Sequence, residues 1–256
     1  MRIYSNIITL VKNSRGVWDL DTIKGCKYGT QTNPNGCYDS CYAVRLSKRS
    51  GIAFSKSVKR DFESENHLHR IISKLKNIDM QFVRIGISGD PSEDWEHTIN
   101  ICEKIKPANK SIVIITKHWR TIPDMLLDKI KGICINTSIS ALDSDVQIRH
   151  RLAEYNRLKP YCNSVLRVNT CNFNMNNLEG AMLDKIQQKL LNNNKVLDTI
   201  LRFNKNHDLV KARIVHLDYT KYLNSNVYAS INNKSTYFGK CDECPEMCGI
   251  NLIYFD

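Results

Sequence analysis

"QFVRIGIS" (81–88), then "EDWEHTINICEKI" (93–105), then "SIVIIT" (111–116) is the stretch on which the fold turns. A short β-branched run, a polar Gly-containing loop, apolar residues at helical spacing and a second β-branched run make a strand–helix–strand unit. The pattern continues in "GICINTSI" (132–139), "SVLRVN" (164–169) and "ARIVHL" (212–217). The helical stretches after residue 116 are "IPDMLLDKI", "SDVQIRHRLAEYNRL" and "LEGAMLDKIQQKLLNNNKVLDTILRF". Upstream, "VWDLDTI" (17–23) reads as a first strand, "CYAVRLSKRSG" opens a helix and "SVKRDFESENHLHRIISKLKN" forms a second.

About six strands, each leading to a helix, predict an α/β protein with a mainly parallel sheet. Six right-handed units fall short of a complete eight-stranded barrel, so the expected architecture is a partial (β/α)6 TIM-like barrel over residues 1–218. Residues 219–256 lose the periodicity and are expected to form a small C-terminal cap.

The 256 residues are 42% hydrophobic and 25% charged, ordinary for a globular protein. No run approaches the roughly 18 apolar residues of a membrane span. The apolar patch near the N-terminus is broken by Tyr4, Ser5 and Asn6 and lacks a cleavage site, so a cytoplasmic protein with no membrane partner is expected. The net charge of +11 is concentrated: residues 1–60 carry 11 Lys and Arg against 3 Asp, a net of +8. A concentrated positive surface suggests an anionic partner such as a nucleotide or nucleic acid, the alternative being a solvated basic face.

Ten cysteines without a secretion signal argue against a disulfide framework. Cys102, Cys134, Cys162 and Cys171 stand singly and read as small buried hydrophobes. The remaining six fall into two groups, C-x10-C-x3-C at Cys26, Cys37 and Cys41 and C-x2-C-x3-C at Cys241, Cys244 and Cys248. Neither is the pair of C-x2-C knuckles common in zinc sites. Three thiolates around a four-iron cluster leave one iron open to a substrate or cofactor.

The first group sits where the first strand hands over to the first helix, and there the chain resembles the radical S-adenosylmethionine superfamily. It is most similar to an uncharacterised phage-borne branch with a Gly-Cys, a second Gly-Cys and then Cys-Tyr-Ala; here these are "GC" at 25–26 and "GCYDSCYA" at 36–43. "GISGDP" (86–91) resembles the Gly-Gly-Glu-Pro stretch that holds the methionine amino group, with Asp90 in place of Glu. "ITKHWRTIP", "INTSIS" and "LRVNTCN" follow in the branch's order, and the likeness runs from about residue 20 to 175.

The resemblance implies a 4Fe-4S cluster on Cys26, Cys37 and Cys41 and S-adenosylmethionine against Ser88, Gly89, Asp90, Lys117, Ser138, Ser140, Arg167 and Asn169. It implies a 5′-deoxyadenosyl radical that abstracts hydrogen from an anionic substrate, with flavodoxin or ferredoxin as reductant. Cys241, Cys244 and Cys248 are expected to hold a second cluster, with zinc as the alternative. A different class of reading is a non-catalytic, zinc-stabilised nucleic-acid-binding protein; redox-sensing thiols are a remoter one.

Individual residues keep their simpler alternatives. Lys117 either pairs with a carboxylate or faces solvent, and Ser138 and Ser140 either meet one ligand or cap a helix. Asp143 reads as a helix cap. Arg167, between Leu166 and Val168, faces the interior, where an unpaired guanidinium is costly and favours an anionic ligand. His118, His216 and Tyr219 read as packing more than as hydrogen-transfer groups.

Overall fold

The structure, a computed structural model, describes residues 2–29, 41–201, 203, 205–217, 228–231, 234–238 and 240–252. Cys37, Tyr219 and the boundary at 218/219 lie outside the described residues.

Seven strands form the main sheet: β1 (Val11–Lys12), β2 (Trp18–Asp19), β3 (Phe82–Ile85), β4 (Ser111–Thr116), β5 (Cys134–Ile139), β6 (Asn163–Thr170) and β7 (Val196–Ile200). They lie side by side in chain order, β1 antiparallel to β2 and every later neighbour parallel. The longer helices are α1 (Tyr42–Arg49), α2 (Glu65–Asn77), α3 (Trp95–Ile105), α4 (Asp145–Leu158) and α5 (Leu178–Leu191). A mostly parallel sheet in chain order, flanked by helices, is compatible with a partial α/β barrel. Among the described residues no helix is long and apolar enough to cross a membrane.

Local chemistry fixes most boundaries. The side chains of Ser64, Asp94, Ser144 and Asn177 cap α2 to α5, and Ser144 makes a full capping box with Gln147. Asp143, expected as a cap, is displaced from that role by Ser144 and serves an ion-pair network instead.

Several expected elements differ. The long stretch 178–203 is not one helix: α5 stops at Leu191, Lys195 takes φ 54°, and Val196–Ile200 pairs in parallel with Leu166–Thr170. The Asn192–Asn194 run, poor in helix propensity, breaks the helix, and Val196, Thr199 and Ile200 suit a strand. "ARIVHL", expected as the sixth strand of the sheet, contributes only Val215–His216, antiparallel to Asn172–Phe173 in a separate ladder. Residues Asp124–Ile130 after Pro123 form a 3-10 turn rather than an α-helix. Ile23–Lys24 leaves the sheet to pair with Val58–Lys59, so the second helix starts only at Glu65.

The period of two decides what each face of the sheet carries. Ile139, Leu166, Val168 and Val196 pack against Tyr155, Leu190 and Leu191 of α4 and α5. The alternate residues Cys134, Val165 and Leu197 pack with Cys248, from the tail. The tail is tied down by backbone contacts: Cys241 N–H donates to the Arg15 carbonyl (2.9 Å), and Asn136 Nδ2 to the Cys248 carbonyl (2.9 Å). Gly249, at φ 94°, lies so close to the sheet that a Cβ there would stand 2.8 Å from Val165 Cγ2.

Candidate functional site

At the carboxyl end of β2, the Asp21 carboxylate accepts three backbone N–H groups, from Gly86 (3.0 Å), Ile87 (2.8 Å) and Ser88 (3.1 Å). The loop after β3 is thereby pinned to the loop after β2. Gly25 bridges Gly89, with Gly25 N–H donating to the Ser88 carbonyl at 2.8 Å. Cys26 follows directly: its N–H donates to the Phe54 carbonyl, and its buried sulfur accepts from Gly29 N–H at 3.4 Å. Cys41 stands at the N-terminus of α1, and the Tyr42 hydroxyl donates to the Ile87 carbonyl at 2.5 Å. Cys26 and Cys41 share an apolar cluster with Ala43, Val44, Phe54, Tyr28 and Trp119.

Both cysteines open onto a cavity of about 980 Å³, and so do Cys241, Cys244 and Cys248. The two groups, 200 positions apart in sequence between Cys41 and Cys241, therefore meet at one site. Arg84 bridges sheet and tail: its Nε donates to Asp19 Oδ1 at 3.0 Å, and its Nη1 lies 3.9 Å from Cys241 Sγ and 4.0 Å from Cys248 Sγ. Burial works against its charge, but Cys248, Asp19 and Cys241 hold the guanidinium ionised. Burial pushes the Cys244 thiol up to about 11.

Seven of the eight residues expected around S-adenosylmethionine line this cavity: Ser88, Gly89, Asp90, Lys117, Ser138, Arg167 and Asn169. Ser140 does not; it is buried, and its Oγ accepts from Leu142 N–H. The Asp90 carboxylate is turned to internal use, accepting from Ser92 N–H (3.0 Å) and Oγ (2.7 Å), Thr116 Oγ1 (2.7 Å) and Lys117 N–H (2.7 Å). Lys117 lines the cavity while its Nζ lies 3.2 Å from both oxygens of Asp143, which also pairs with Arg151 at 2.5 Å. Burial alone would raise the Asp143 pKa, yet Lys117 and Arg151 hold it below the usual carboxylate value. Asn169 Nδ2 donates to Ser138 Oγ (2.7 Å) while Thr199 Oγ1 donates to Asn169 Oδ1 (2.9 Å), a closed polar chain across three strands.

His118, at φ 46° after β4, is fully buried off the cavity wall. Its Nε2 meets Thr137 Oγ1 at 3.1 Å, its Nδ1 lies 3.9 Å from Glu154, and its ring packs on Trp95. Burial, helped by His150, Arg151 and Arg157, lowers its pKa from 6.5 to about 3, so it is neutral in the fold. The unfolded chain takes up this proton near pH 6.5 and the folded chain only near pH 3, so stability is lost as pH falls through that window. The slope from this group is at most ~1.4 kcal/mol per pH unit. Urea unfolding between pH 7 and pH 4 is expected to show a shallower loss for His118→Gln than for the wild type; parallel curves would contradict it.

Asp21 and Arg84 are the site residues that sequence reading passed over. Arg84 interrupts the apolar run "FVRIGI" just as Arg167 interrupts "VLRVN", so the same signal marked both. Among the described residues no group of three or more His, Cys, Asp or Glu side chains stands ready to hold a metal ion. Cys26 and Cys41, thiols in an apolar wall beside a roomy cavity, fit an iron–sulfur cluster in donor type, with Cys37 outside the described residues. No protein-family model matches the chain, and no curated protein is detectably similar to it.

Proposed function

We propose that this chain is a radical S-adenosylmethionine enzyme on a partial (β/α)6 barrel, acting on an anionic substrate of the nucleotide or nucleic-acid kind. The observation that supports this most is the convergence of Cys26 and Cys41 with the 86–90 loop, stitched through Gly25 and Gly89, on one cavity. In this reading Cys26, Cys37 and Cys41 would hold a 4Fe-4S cluster. The chemistry supplied there, when the cluster is bound, is reductive cleavage of S-adenosylmethionine to a 5′-deoxyadenosyl radical that takes hydrogen from the substrate.

The chain's own work is orientation and exclusion of water. Asp21 fixes the 86–88 amides, so this loop offers a ligand its remaining backbone and the Ser88 hydroxyl, which bonds to no described residue. The Lys117–Asp143–Arg151 network holds the loop after β4 in place, with Arg151 Nε donating to the Lys117 carbonyl at 2.6 Å. Cys241, Cys244 and Cys248 would take a second cluster, whose negative thiolates Arg84 would offset, with zinc as the alternative occupant. A small cytoplasmic electron carrier, flavodoxin or ferredoxin, would supply the reductant.

The test is purification without oxygen followed by assay of iron, acid-labile sulfide, zinc and 5′-deoxyadenosine formed under a chemical reductant. The expected result is a brown protein with iron and sulfide in equal amounts that cleaves S-adenosylmethionine. A colourless protein holding zinc alone would overturn this reading in favour of a zinc-stabilised nucleic-acid binder.

A further inference from the structure

Most charges lining the cavity are satisfied by described residues, and Lys24 lies over the face of the Tyr4 ring. Asp19 is held by Arg84 and by Asn13 Nδ2 at 2.7 Å, Asp21 by three amides, and Asp90 by Ser92, Thr116 and the Lys117 N–H. Asp198 accepts from Thr170 Oγ1 (2.7 Å) and Thr236 Oγ1 (2.5 Å). Among the cations, Lys117 has Asp143, and Arg60 donates to the carbonyls of Ser5, Ile7 and Asp21 and to Thr9 Oγ1. Arg167 has neither a hydrogen bond nor an ion pair with any described residue, although it lines the same cavity.

Its surroundings sharpen the point. Arg167 sits on β6 opposite Ser138 of β5 and Leu197 of β7, on the face that carries the tail. The charged groups that act on it are Arg84, which already has Asp19, together with Arg15 and the thiols of Cys248 and Cys241. Arg167 is half-buried at the cavity wall with no carboxylate beside it, and a guanidinium so placed is offset best by an anionic ligand in the cavity. Its planar fork matches the two oxygens of a carboxylate or phosphate.

We propose that Arg167 anchors the oxyanion, a carboxylate or phosphate, of a second small molecule that occupies the cavity between the two cysteine groups. That this molecule is the substrate rests on the reading above; the oxyanion site itself does not. It deepens that reading by naming the group by which the substrate is held.

The experiment uses anaerobically purified protein and three probes: inorganic phosphate, acetate and S-adenosylmethionine, each followed by calorimetric titration and thermal melting. The wild type is expected to bind phosphate or acetate and melt higher in its presence. Arg167→Met is expected to bind them about 10- to 100-fold more weakly, the loss of a charge-assisted pair, and Arg167→Lys to fall between. Without any probe, Arg167→Met is expected to melt at or above the wild-type temperature, whereas a residue with a purely structural role would lower it. Failure of the wild type to bind phosphate and acetate, or equal binding by Arg167→Met, overturns the site. If Arg167→Met weakens S-adenosylmethionine alone, the oxyanion is that cofactor's carboxylate and the substrate assignment falls. If Arg167→Met melts lower, and a Cys241→Ala/Cys248→Ala background removes that loss, the thiolates are its partners and the proposal fails. Absence of iron would defeat the radical reading and leave phosphate binding standing.

Discussion

Cys41→Ala is expected to abolish 5′-deoxyadenosine formation and to remove about four iron atoms per chain, one 4Fe-4S cluster, while leaving the fold intact. The separation of these effects follows from where the thiol sits. Cys41 occupies the N-cap of α1 with extended backbone (φ −70°, ψ 119°), yet its side chain makes no capping hydrogen bond. Ser, Thr, Asn and Asp are the residues that stabilise that position, and a cysteine there gains no cap for the helix. Alanine should therefore cost the metal-free protein only about 1 kcal/mol, the packing of one half-buried sulfur in the apolar wall. Melting of the metal-free proteins, beside iron analysis of the loaded ones, decides it. A Cys41→Ala protein with full iron content refutes the ligand assignment, and one that melts far below the wild type shows the thiol to be structural.

Gly89→Ala is expected to damage the same site by a purely steric route. A Cβ on Gly89 would stand 2.4 Å from the Ile23 carbonyl oxygen and 2.7 Å from that of Gly25. Both obstacles are backbone, so neither can swing aside as a flexible side chain would. Gly25 is itself locked, at φ 83° with its own absent Cβ 2.6 Å from the Lys56 carbonyl oxygen. The methyl group must part the loops after β2 and β3, which costs ~1–3 kcal/mol, as overpacking does. At roughly 2–4 °C per kcal/mol for a chain of this size, melting should drop by about 2–12 °C. Iron content should fall too, because Cys26 is the next residue after the displaced Gly25. Gly51 is the control: it also has positive φ (66°) but nothing within 4 Å of its absent Cβ, so Gly51→Asn should retain iron and melt near the wild type. Gly89→Ala that matches the wild type in both readouts would show the loops to be independent.

The repeated strand–helix pattern and the polar strand ends were legible because they are local. Alternation placed Arg167 on the inner face, and Ser88, Lys117, Ser138 and Asn169, at or just past the strand ends, do converge on one cavity. What failed was also physical. Val196–Ile200 follows a helix of ordinary pattern after only four residues, so its apolar spacing blended into α5, although Asn192–Asn194 was the available stop signal. "ARIVHL" has the composition of a buried strand but finds its partner in Asn172–Phe173, a tertiary choice that propensity does not encode. Asp90 and Lys117 line the cavity, but their internal partners, Thr116 and Asp143, could not be ranked against a ligand without distances. The docking of Cys241 and Cys248 beside Arg84 depends on contacts more than 150 positions apart, which no spacing rule reaches.

That docking bears on how the chain reaches its native state. The Asn136 amide and the Val165 side chain meet Cys248 and Gly249 at the inner face, so apolar surface of the sheet there waits for the tail. Closing so large a loop costs entropy before its contacts return anything, and high contact order slows folding. The helix-covered side can assemble from neighbours in sequence; the tail side forms last. By that argument the contacts of Cys241 and Cys248 with Arg84 are expected to form after those of Cys26 with Phe54, so the cavity wall on the tail side closes last.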